Sequence, residues 1–294
     1  MRQFQAGDPS DINFDAKHVL FVEGSVDSLD LQCLEPLLSH LALVLKPLGP
    51  ASNLKAVARA LHKHYPFHYF LVDRDHYFTH KEVEASWLRF PDPKASNLLV
   101  WRKKELENYF LDPAFFLQSD HLNSNASSEA IAARLQEECQ RRLFVEVANC
   151  VIVELRESLK LKWIETFAPS TPLTSVDAVD ELVRKVTSSP LGPRAANTLD
   201  EAQIRQAFGT ALNRYTGGRE SLEWGRGEWL DLFSGKPLFH NLVDRFCKVI
   251  DMQGKVQSGP AARARVARNL MSKCEHLPSD FLELVRLLEK VLEV

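Results

Sequence analysis

The first third of the chain alternates short apolar runs with longer amphipathic stretches. The strand candidates are residues 17–22 (KHVLFV), 41–45 (LALVL), 67–72 (FHYFLV) and 97–101 (NLLVW). Residues 25–40 and 51–64 lie between them and have helical periodicity. Strands alternating with helices of this length predict βαβ units and a mostly parallel sheet, in which functional groups collect beyond the carboxyl ends of the strands.

After about residue 120 the pattern becomes helical. The helix candidates are residues 127–142, 144–167, 176–186, 200–215, 237–252, 260–273 and 279–293. Breaks rich in Pro, Ser and Gly separate several of them, at residues 169–172, 188–193 and 217–218. The pattern therefore predicts a Rossmann-like α/β domain over residues 16–120, followed by a mainly helical domain over residues 121–294. The helical domain is a candidate for dimerisation or for substrate or partner binding, and core packing explains its apolar helix faces equally well.

Composition places the chain among ordinary globular proteins. Of 294 residues, 45% are hydrophobic and 26% are charged, and no apolar run approaches the roughly 18 residues that a membrane span needs. The polar opening segment is not typical of a signal peptide. The five cysteines are scattered and never form a CxxC pair, which argues against a disulfide framework or a zinc site. We expect a cytoplasmic protein without membrane association.

Carboxylates follow two of the predicted strands directly. Glu23 and Gly24 come after the first strand, where Gly24 permits a tight exit and Asp27 is expected in the first turn of the next helix. Asp73 and Asp75 come after the third strand. If that segment is extended, alternation points both side chains the same way.

A third group of acids, Glu105 and Glu107, follows the fourth strand in the segment KELENY. Crowded carboxylates repel one another, so a protein tolerates them chiefly where cations bind. Hard oxygen ligands suit Mg²⁺ or Mn²⁺, and two such ions can support phosphodiester hydrolysis. Each acidic segment taken alone also fits an ordinary solvated turn or helix start, and it is their occurrence in this order that favours a metal site.

These segments resemble a known family. The sequence FVEG with an acid four residues after the glutamate, followed by VDRD, is similar to the Toprim domain of topoisomerases, primases and OLD-family nucleases. RKKELENYFLDPAFF resembles the OLD-type Toprim proteins of the DUF4435 group. The resemblance covers residues 17–117 and, more faintly, residues 229–238 (WLDLFSGKPL).

The resemblance implies roles for particular residues. Glu23 matches the first glutamate of the family, and Asp27 matches its partner in the ExxxD motif. Asp73 and Asp75 match the DxD pair that binds metal. Glu107, in preference to Glu105, matches the glutamate that completes a second metal site. Lys236 matches a late lysine that offsets charge on the scissile phosphate. The implied catalytic residues are Glu23, Asp73, Asp75 and Lys236, and the implied metal ligands are Glu23, Asp27, Asp73, Asp75 and Glu107.

The chain departs from full-length OLD nucleases because it contains no GxxxxGK[ST] phosphate loop. A Toprim chain without an ATPase domain is similar to the effectors of PARIS anti-phage defence systems. That similarity implies a toxic RNase that cleaves host transfer RNA, an ABC-type ATPase as partner and a homodimer when active. Two alternatives stay open: an OLD-like DNA nuclease or nickase, and a regulatory Toprim subunit that binds an ATPase without cleavage.

Charge is distributed unevenly, although the formal net charge is only −3. Residues 191–268 contain twelve Lys or Arg against eight Asp or Glu. Arg265 and Arg268 share a helical face and suit a phosphate backbone. Trp224 and Trp229 flank Arg226, a combination that suits stacking on bases. Solvated helix faces and ordinary packing explain the same residues. His76 is a candidate general base, which two-metal nucleases do not need.

Overall fold

The structure, a computed structural model, describes residues 18–75, 78–159, 164–168, 170–175, 177–188, 200–250, 253–273 and 276–292. The strands within these ranges are β1 Val19–Val22, β2 Val44–Pro47, β3 His68–Val72, β4 Leu98–Val100, β5 Val249–Ile250 and β6 Val256–Gln257. The helices are α1 Leu29–Leu38, α2 Ala51–Leu61, α3 His80–Arg89, a 3-10 helix Leu106–Leu111, α4 Pro113–Phe116, α5 Ser128–Leu159, α6 Asp177–Thr187, α7 Glu201–Thr216, α8 Trp229–Leu232, α9 Gly235–Phe246, α10 Gly259–Met271 and α11 Ser279–Leu292.

The chain divides into two compact units. Within the described ranges, unit 1 comprises residues 18–72, 85–100 and 279–292, and unit 2 comprises residues 73–84 and 101–278. The last helix, α11, therefore belongs to the unit that contains the parallel sheet. The predicted domains, 16–120 and 121–294, group these residues differently.

Unit 1 is built on a four-stranded, all-parallel sheet with the order β2-β1-β3-β4. Every residue of β1 and β3, the two central strands, is buried. Burial on both faces is expected of a parallel sheet covered by helices, and it explains why these strands read as continuous apolar runs. The predicted α/β region with a parallel sheet, followed by a helical region, is confirmed.

The edge strand β2 differs from its predicted position. The apolar run at residues 41–45 was expected to end before Pro47, but the strand is Val44–Pro47. It pairs with β1 through Val22 and Pro47 at its last position. Proline lacks a backbone N–H and is tolerated in a strand at the edge of a sheet, which is where β2 lies.

Unit 2 is organised around α5, a single helix of 32 residues. The sequence pattern predicts two helices here, at residues 127–142 and 144–167. Residues 145–153 are all buried, because α6, α7 and α9 pack against α5. A helix that is buried on every side has no amphipathic pattern. The gap between the two predicted helices, at residue 143, is therefore not a break in the helix.

Unit 2 also contains a short antiparallel ribbon that the sequence pattern does not predict. A helix was expected over residues 237–252, but α9 ends at Phe246 and Cys247 is extended, with φ −115° and ψ 148°. Cys247 forms an isolated antiparallel β-bridge with Leu122. In the ribbon itself, Val249 of β5 pairs with Gln257 of β6, and Ile250 pairs with Val256. The helical prediction fails there because pairing across the chain overrides the local pattern.

Within the described ranges, no helix combines the length and the apolar character that crossing a membrane requires.

Candidate functional site

A tight turn follows β1, and Gly24 is the residue that makes it possible. Its φ is +100°, and a Cβ at this position would lie 2.5 Å from the Cβ of Ser28. The backbone N–H of Gly24 donates to the carbonyl of Gly49 at 2.9 Å, and the N–H of Gly49 donates back at 2.9 Å. The structure confirms the predicted role of Gly24 in the exit from β1.

Glu23 is the half-buried acid at the start of this turn. Its Oε2 atom is buried and has no hydrogen-bond partner among the described residues. A carboxylate oxygen that is buried without a hydrogen-bond donor is unfavourable, because it has lost contact with water and gained no partner. A divalent cation would satisfy that oxygen, so Glu23 fits the proposed ligand role.

Asp27 lies outside the helix in which it was expected. The helix α1 begins at Leu29, and Ser28 is its N-cap residue, accepting from the N–H of Leu31 at 3.4 Å. Asp27 is exposed in the preceding turn, and its carbonyl accepts from Nε2 of Gln32 at 2.9 Å. The expected position of Asp27 in the first helical turn is therefore wrong. Asp27 is an exposed acid in the loop between Glu23 and α1.

The segment after β3 is not extended. The strand ends at Val72, and Asp75 has φ +45°, a left-handed conformation that few non-glycine residues adopt. The argument that strand alternation points Asp73 and Asp75 the same way is therefore wrong. The side chain of Asp73 is buried, and its Oδ1 accepts from the N–H of Leu106 at 3.2 Å.

Arg74, between these two acids, anchors the segment. It is buried, and its Nη1 donates to the carbonyl of Arg102 at 3.0 Å. Burial lowers the pKa of its guanidinium, and the positive charge of Arg214 lowers it further. The N–H of Asp75 donates to the carbonyl of Lys104 at 2.9 Å. The Asp73–Asp75 segment is thus held against residues 102–106 by both side-chain and backbone hydrogen bonds.

Glu105 has a structural role. It is the N-cap of the 3-10 helix, in a capping box with Asn108, whose Oδ1 accepts from the N–H of Glu105 at 3.0 Å. Its Oε2 also accepts from the N–H of Lys236 at 2.8 Å, at the N-terminus of α9. A carboxylate is favourable at this end of a helix, because the first N–H groups have no partners within the helix.

Glu107 and Lys236 are brought together by the structure. The side chain of Glu107 is 3% exposed, and its Oε1 lies 3.8 Å from Nζ of Lys236, whose side chain is 58% exposed. A buried carboxylate beside a lysine that reaches solvent is compatible with the two separate roles that the resemblance implies, a metal ligand and a cation for the phosphate. The carboxylate of Glu105 already accepts hydrogen bonds at the N-termini of two helices. Glu107 is therefore the more suitable of the two acids for a second metal site.

Trp224 and Trp229 differ in their surroundings. Trp229 is buried, and its indole N–H donates to the carbonyl of Glu223 at 3.1 Å, as expected for ordinary packing. Trp224 is 42% exposed and meets Trp229 edge-on, with ring centroids 5.6 Å apart. Arg226 pairs with Glu223 at 3.1 Å. Trp224 and Arg226 line one cleft of unit 2, together with Lys103 and Glu228.

Across the described residues, no three His, Cys, Asp or Glu side chains are grouped closely enough to hold a metal ion. The candidate residues fall in both units: Glu23 and Asp27 belong to unit 1, and Asp73, Asp75, Glu107 and Lys236 belong to unit 2. His76, the candidate general base, lies outside the described residues. The predicted metal ligands thus do not form a ready-made metal site within the described residues.

No model of a known protein family matches the chain, and no curated protein matches it either. The Toprim resemblance therefore rests on the segments quoted above, and the function that it implies is a proposal.

Proposed function

We propose that this protein is a metal-dependent phosphodiester nuclease of the Toprim type, with Glu23, Asp73 and Asp75 as catalytic acids. The observation that carries the proposal is the buried Oε2 of Glu23, which has no hydrogen-bond partner within the described part of the chain. It stands directly after β1, a central strand of a parallel sheet. This is the edge at which functional groups of α/β proteins gather.

Sheet topology supports the grouping of these acids. The strands β1 and β3 are parallel neighbours, with Val22 paired to Leu71. Their carboxyl ends therefore lie at the same edge of the sheet. Glu23 follows β1 without an intervening residue, and Asp73 follows β3 in the same way. Acids at the ends of two adjacent strands are the arrangement that the sequence predicts for a metal site.

The donor set is compatible with Mg²⁺ or Mn²⁺, which prefer carboxylate oxygens and water. The residues proposed to hold one or two such ions are Glu23, Asp27, Asp73, Asp75 and Glu107. When bound, a divalent cation would supply Lewis-acid stabilisation of the charge that develops on a phosphodiester. Lys236, exposed beside Glu107, would contribute a positive charge to a phosphate oxygen.

The family resemblance extends the proposal to the biological role. It implies that the substrate is nucleic acid, with transfer RNA favoured over DNA, and that cleavage is toxic to the host during anti-phage defence. It also implies an ABC-type ATPase as the partner that restrains the nuclease, and a homodimer as the active form. These points depend on the quoted sequence segments alone.

The test compares purified wild-type protein with two variants, each of which replaces one glutamate with glutamine. Glu23→Gln removes the proposed ligand charge at constant shape, and Glu35→Gln makes the same change at an exposed position of α1. Each protein is incubated with total transfer RNA and with plasmid DNA, in Mg²⁺, Mn²⁺ or EDTA. Binding of metal is followed separately through the melting temperature, because a ligand that binds the folded state raises it.

We expect discrete transfer-RNA fragments with wild type and Glu35→Gln, and none with Glu23→Gln or in EDTA. Nicking of the plasmid under the same conditions would assign the DNA alternative. A metal-dependent rise in melting temperature without cleavage of either substrate would instead assign a regulatory binding subunit. Full activity of Glu23→Gln would contradict the proposed site.

A further inference from the structure

Basic residues of unit 2 flank a short segment that we call the strap. The strap is the segment 120–123, which lies beside residues 245–248: the N–H of Lys248 donates to the carbonyl of His121 at 2.7 Å, and the N–H of Asn123 donates to the carbonyl of Phe246 at 2.9 Å. The Nδ2 of Asn123 also donates to the carbonyl of Arg245 at 2.8 Å. Arg245 and Lys248, both exposed, are thus fixed on either side of this contact.

Side chains along one row of helix α10 and just beyond its end contact the strap at Asp120. Arg265, Asn269 and Lys273 follow at intervals of four residues, so the first two lie on one face of the helix and Lys273 continues the row just past its end. Asn269 and Lys273 bind the carboxylate of Asp120, at 2.7 Å and 2.8 Å. Arg265 lies near His121: burial lowers the pKa of His121, and the charge of Arg265 lowers it further.

The result is a surface that we call the basic face, defined as Arg245, Lys248, Arg265 and Arg268. Arg268 is exposed one turn after Arg265, and residues three apart on a helix are neighbours. Within the described residues, none of the four forms an ion pair. Three described acids lie near these residues and each has a basic partner: Asp120 pairs with Lys273 at 2.8 Å, Asp244 pairs with Arg263 at 2.9 Å, and Glu137, which lines a cleft with Arg245, pairs with Arg134 at 3.0 Å. The basic face therefore keeps its positive charge in a chain whose formal net charge is −3.

Two apolar side chains lie next to these cations. Ile250 of β5 is 43% exposed, and its partner across the ribbon, Val256 of β6, is 56% exposed. Lys248 immediately precedes β5. An antiparallel two-stranded ribbon with an exposed apolar pair, preceded by a cation, is a shape that nucleic-acid grooves accept.

We infer that the basic face binds the phosphate backbone of the nucleic acid, with the β5–β6 ribbon against its sugars or bases. This inference deepens the proposed function and rests on it for the choice of nucleic acid over other polyanions. Charge complementarity carries it: uncompensated Lys and Arg side chains that release the counterions of a phosphate backbone supply most of the affinity for it. The face would position the substrate, and it takes no part in bond cleavage.

The experiment measures binding in EDTA, so that cleavage plays no part. Fluorescence anisotropy of labelled single-stranded RNA, its duplex and the matching DNA strands is compared for three proteins. They are wild type, the triple variant Lys248→Gln, Arg265→Gln, Arg268→Gln, and a control triple variant Arg59→Gln, Arg89→Gln, Arg286→Gln. The control residues are exposed arginines of unit 1, so the change in net charge is the same.

We expect the basic-face variant to bind weaker by about two orders of magnitude near 0.1 M salt, with a salt slope lower by about two to three, because about one counterion is released for each phosphate contact. The control variant should bind like wild type. Circular dichroism and the melting temperature establish that both variants are folded. The RNA and DNA arms show which backbone is preferred.

Equal affinity of the two triple variants would overturn the inference. So would equal binding of wild type to poly-glutamate or to anionic lipid vesicles, because the face would then recognise charge alone. The binding measurement in EDTA involves no metal ion and no cleavage, so it is independent of the proposed metal site. Absence of cleavage would therefore count against the proposed nuclease, whereas absence of binding would count against the basic face.

Discussion

Gly235, the first residue of α9, lies directly against Asn108. A Cβ placed on Gly235 would fall 2.4 Å from Oδ1 of Asn108 and 2.6 Å from its backbone nitrogen. Asn108 is fully buried, and its Nδ2 donates to the carbonyls of Leu230 and Phe233 at 2.7 Å and 2.9 Å. The contact brings Lys236, the next residue, to the carboxylates of Glu105 and Glu107. A glycine without apparent function in the sequence thus positions a candidate catalytic lysine.

The first prediction concerns this contact. Gly235→Ala should lower the free energy of unfolding by about 1–3 kcal/mol, because the new methyl group overlaps a side chain that cannot move. Gly209→Ala is the matched control: Gly209 lies inside α7 and a Cβ there meets nothing within 4 Å. That change should stabilise the protein by about 0.5–1 kcal/mol, since alanine favours a helix. Urea denaturation followed by circular dichroism measures both, and equal effects would contradict the close approach.

The second prediction separates Glu105 from Glu107. Glu105→Ala removes a helix cap, so it should cost about 1 kcal/mol of stability and leave metal binding intact. Glu107→Gln keeps the shape of a buried side chain and removes its charge. It should change stability little and lower metal-dependent cleavage by about tenfold or more. Urea denaturation and cleavage assays on both variants test this division, and the reverse pattern would assign the metal role to Glu105.

The sequence predicted the sheet better than the helices of unit 2. The strands β1 and β3 were recognisable because burial on both faces requires continuous apolar runs, such as that of Val19–Val22. The helix α5 was divided in two because its centre is surrounded, which erases the period on which the prediction depends. The ribbon at Val249–Ile250 was read as helix because its pairing partners, β6 and Leu122, are remote in the sequence.

The candidate site shows the same limit. Gly24 was identified correctly, since the need for a positive φ is a local property of one turn. The left-handed backbone of Asp75 was not identified. Its N–H donates a hydrogen bond to the carbonyl of Lys104, and the spacing of residues in the sequence does not reveal that contact. The bond from the N–H of Lys236 to Glu105 was not foreseen either, because the two residues are remote in the sequence. Residue types at strand ends are readable from sequence, whereas their hydrogen-bond partners are set by packing.

The third prediction concerns a buried ion pair of unit 2. Nζ of Lys104 lies 3.2 Å from Oε2 of Glu146, and both side chains are about 95% buried. Lys104→Met should cost about 3–5 kcal/mol, because Glu146 then keeps a buried charge with less compensation. Lys273→Met breaks an exposed pair with Asp120 and should cost much less, because solvent screens both charges. Urea denaturation compares the two, and similar losses would contradict the burial of the Lys104 pair.

The fourth prediction is a loss of stability in mild acid. Burial in β3 lowers the pKa of His68 below its ordinary value of 6.5, so the folded protein keeps this imidazole neutral. The unfolded chain takes up a proton as the pH falls through about 6.5, which favours unfolding. Stability should therefore decrease as the pH drops from about 6.5 to the lowered pKa, and it should not depend on His68 above that range. Burial lowers the pKa of His121 and His240 as well, and they act in the same direction.

The contribution of His68 can be isolated by substitution. His68 stacks on Tyr65 and meets Phe21 edge-on, so His68→Phe keeps an aromatic ring and removes the titrating group. The free energy of unfolding should then fall less between about pH 7.5 and pH 5.5 than it does in wild type. Phe21→Leu, which alters the same packing without a titrating group, should lower stability equally at both pH values. An unchanged pH dependence in His68→Phe would mean that this histidine is protonated alike in the folded and unfolded states.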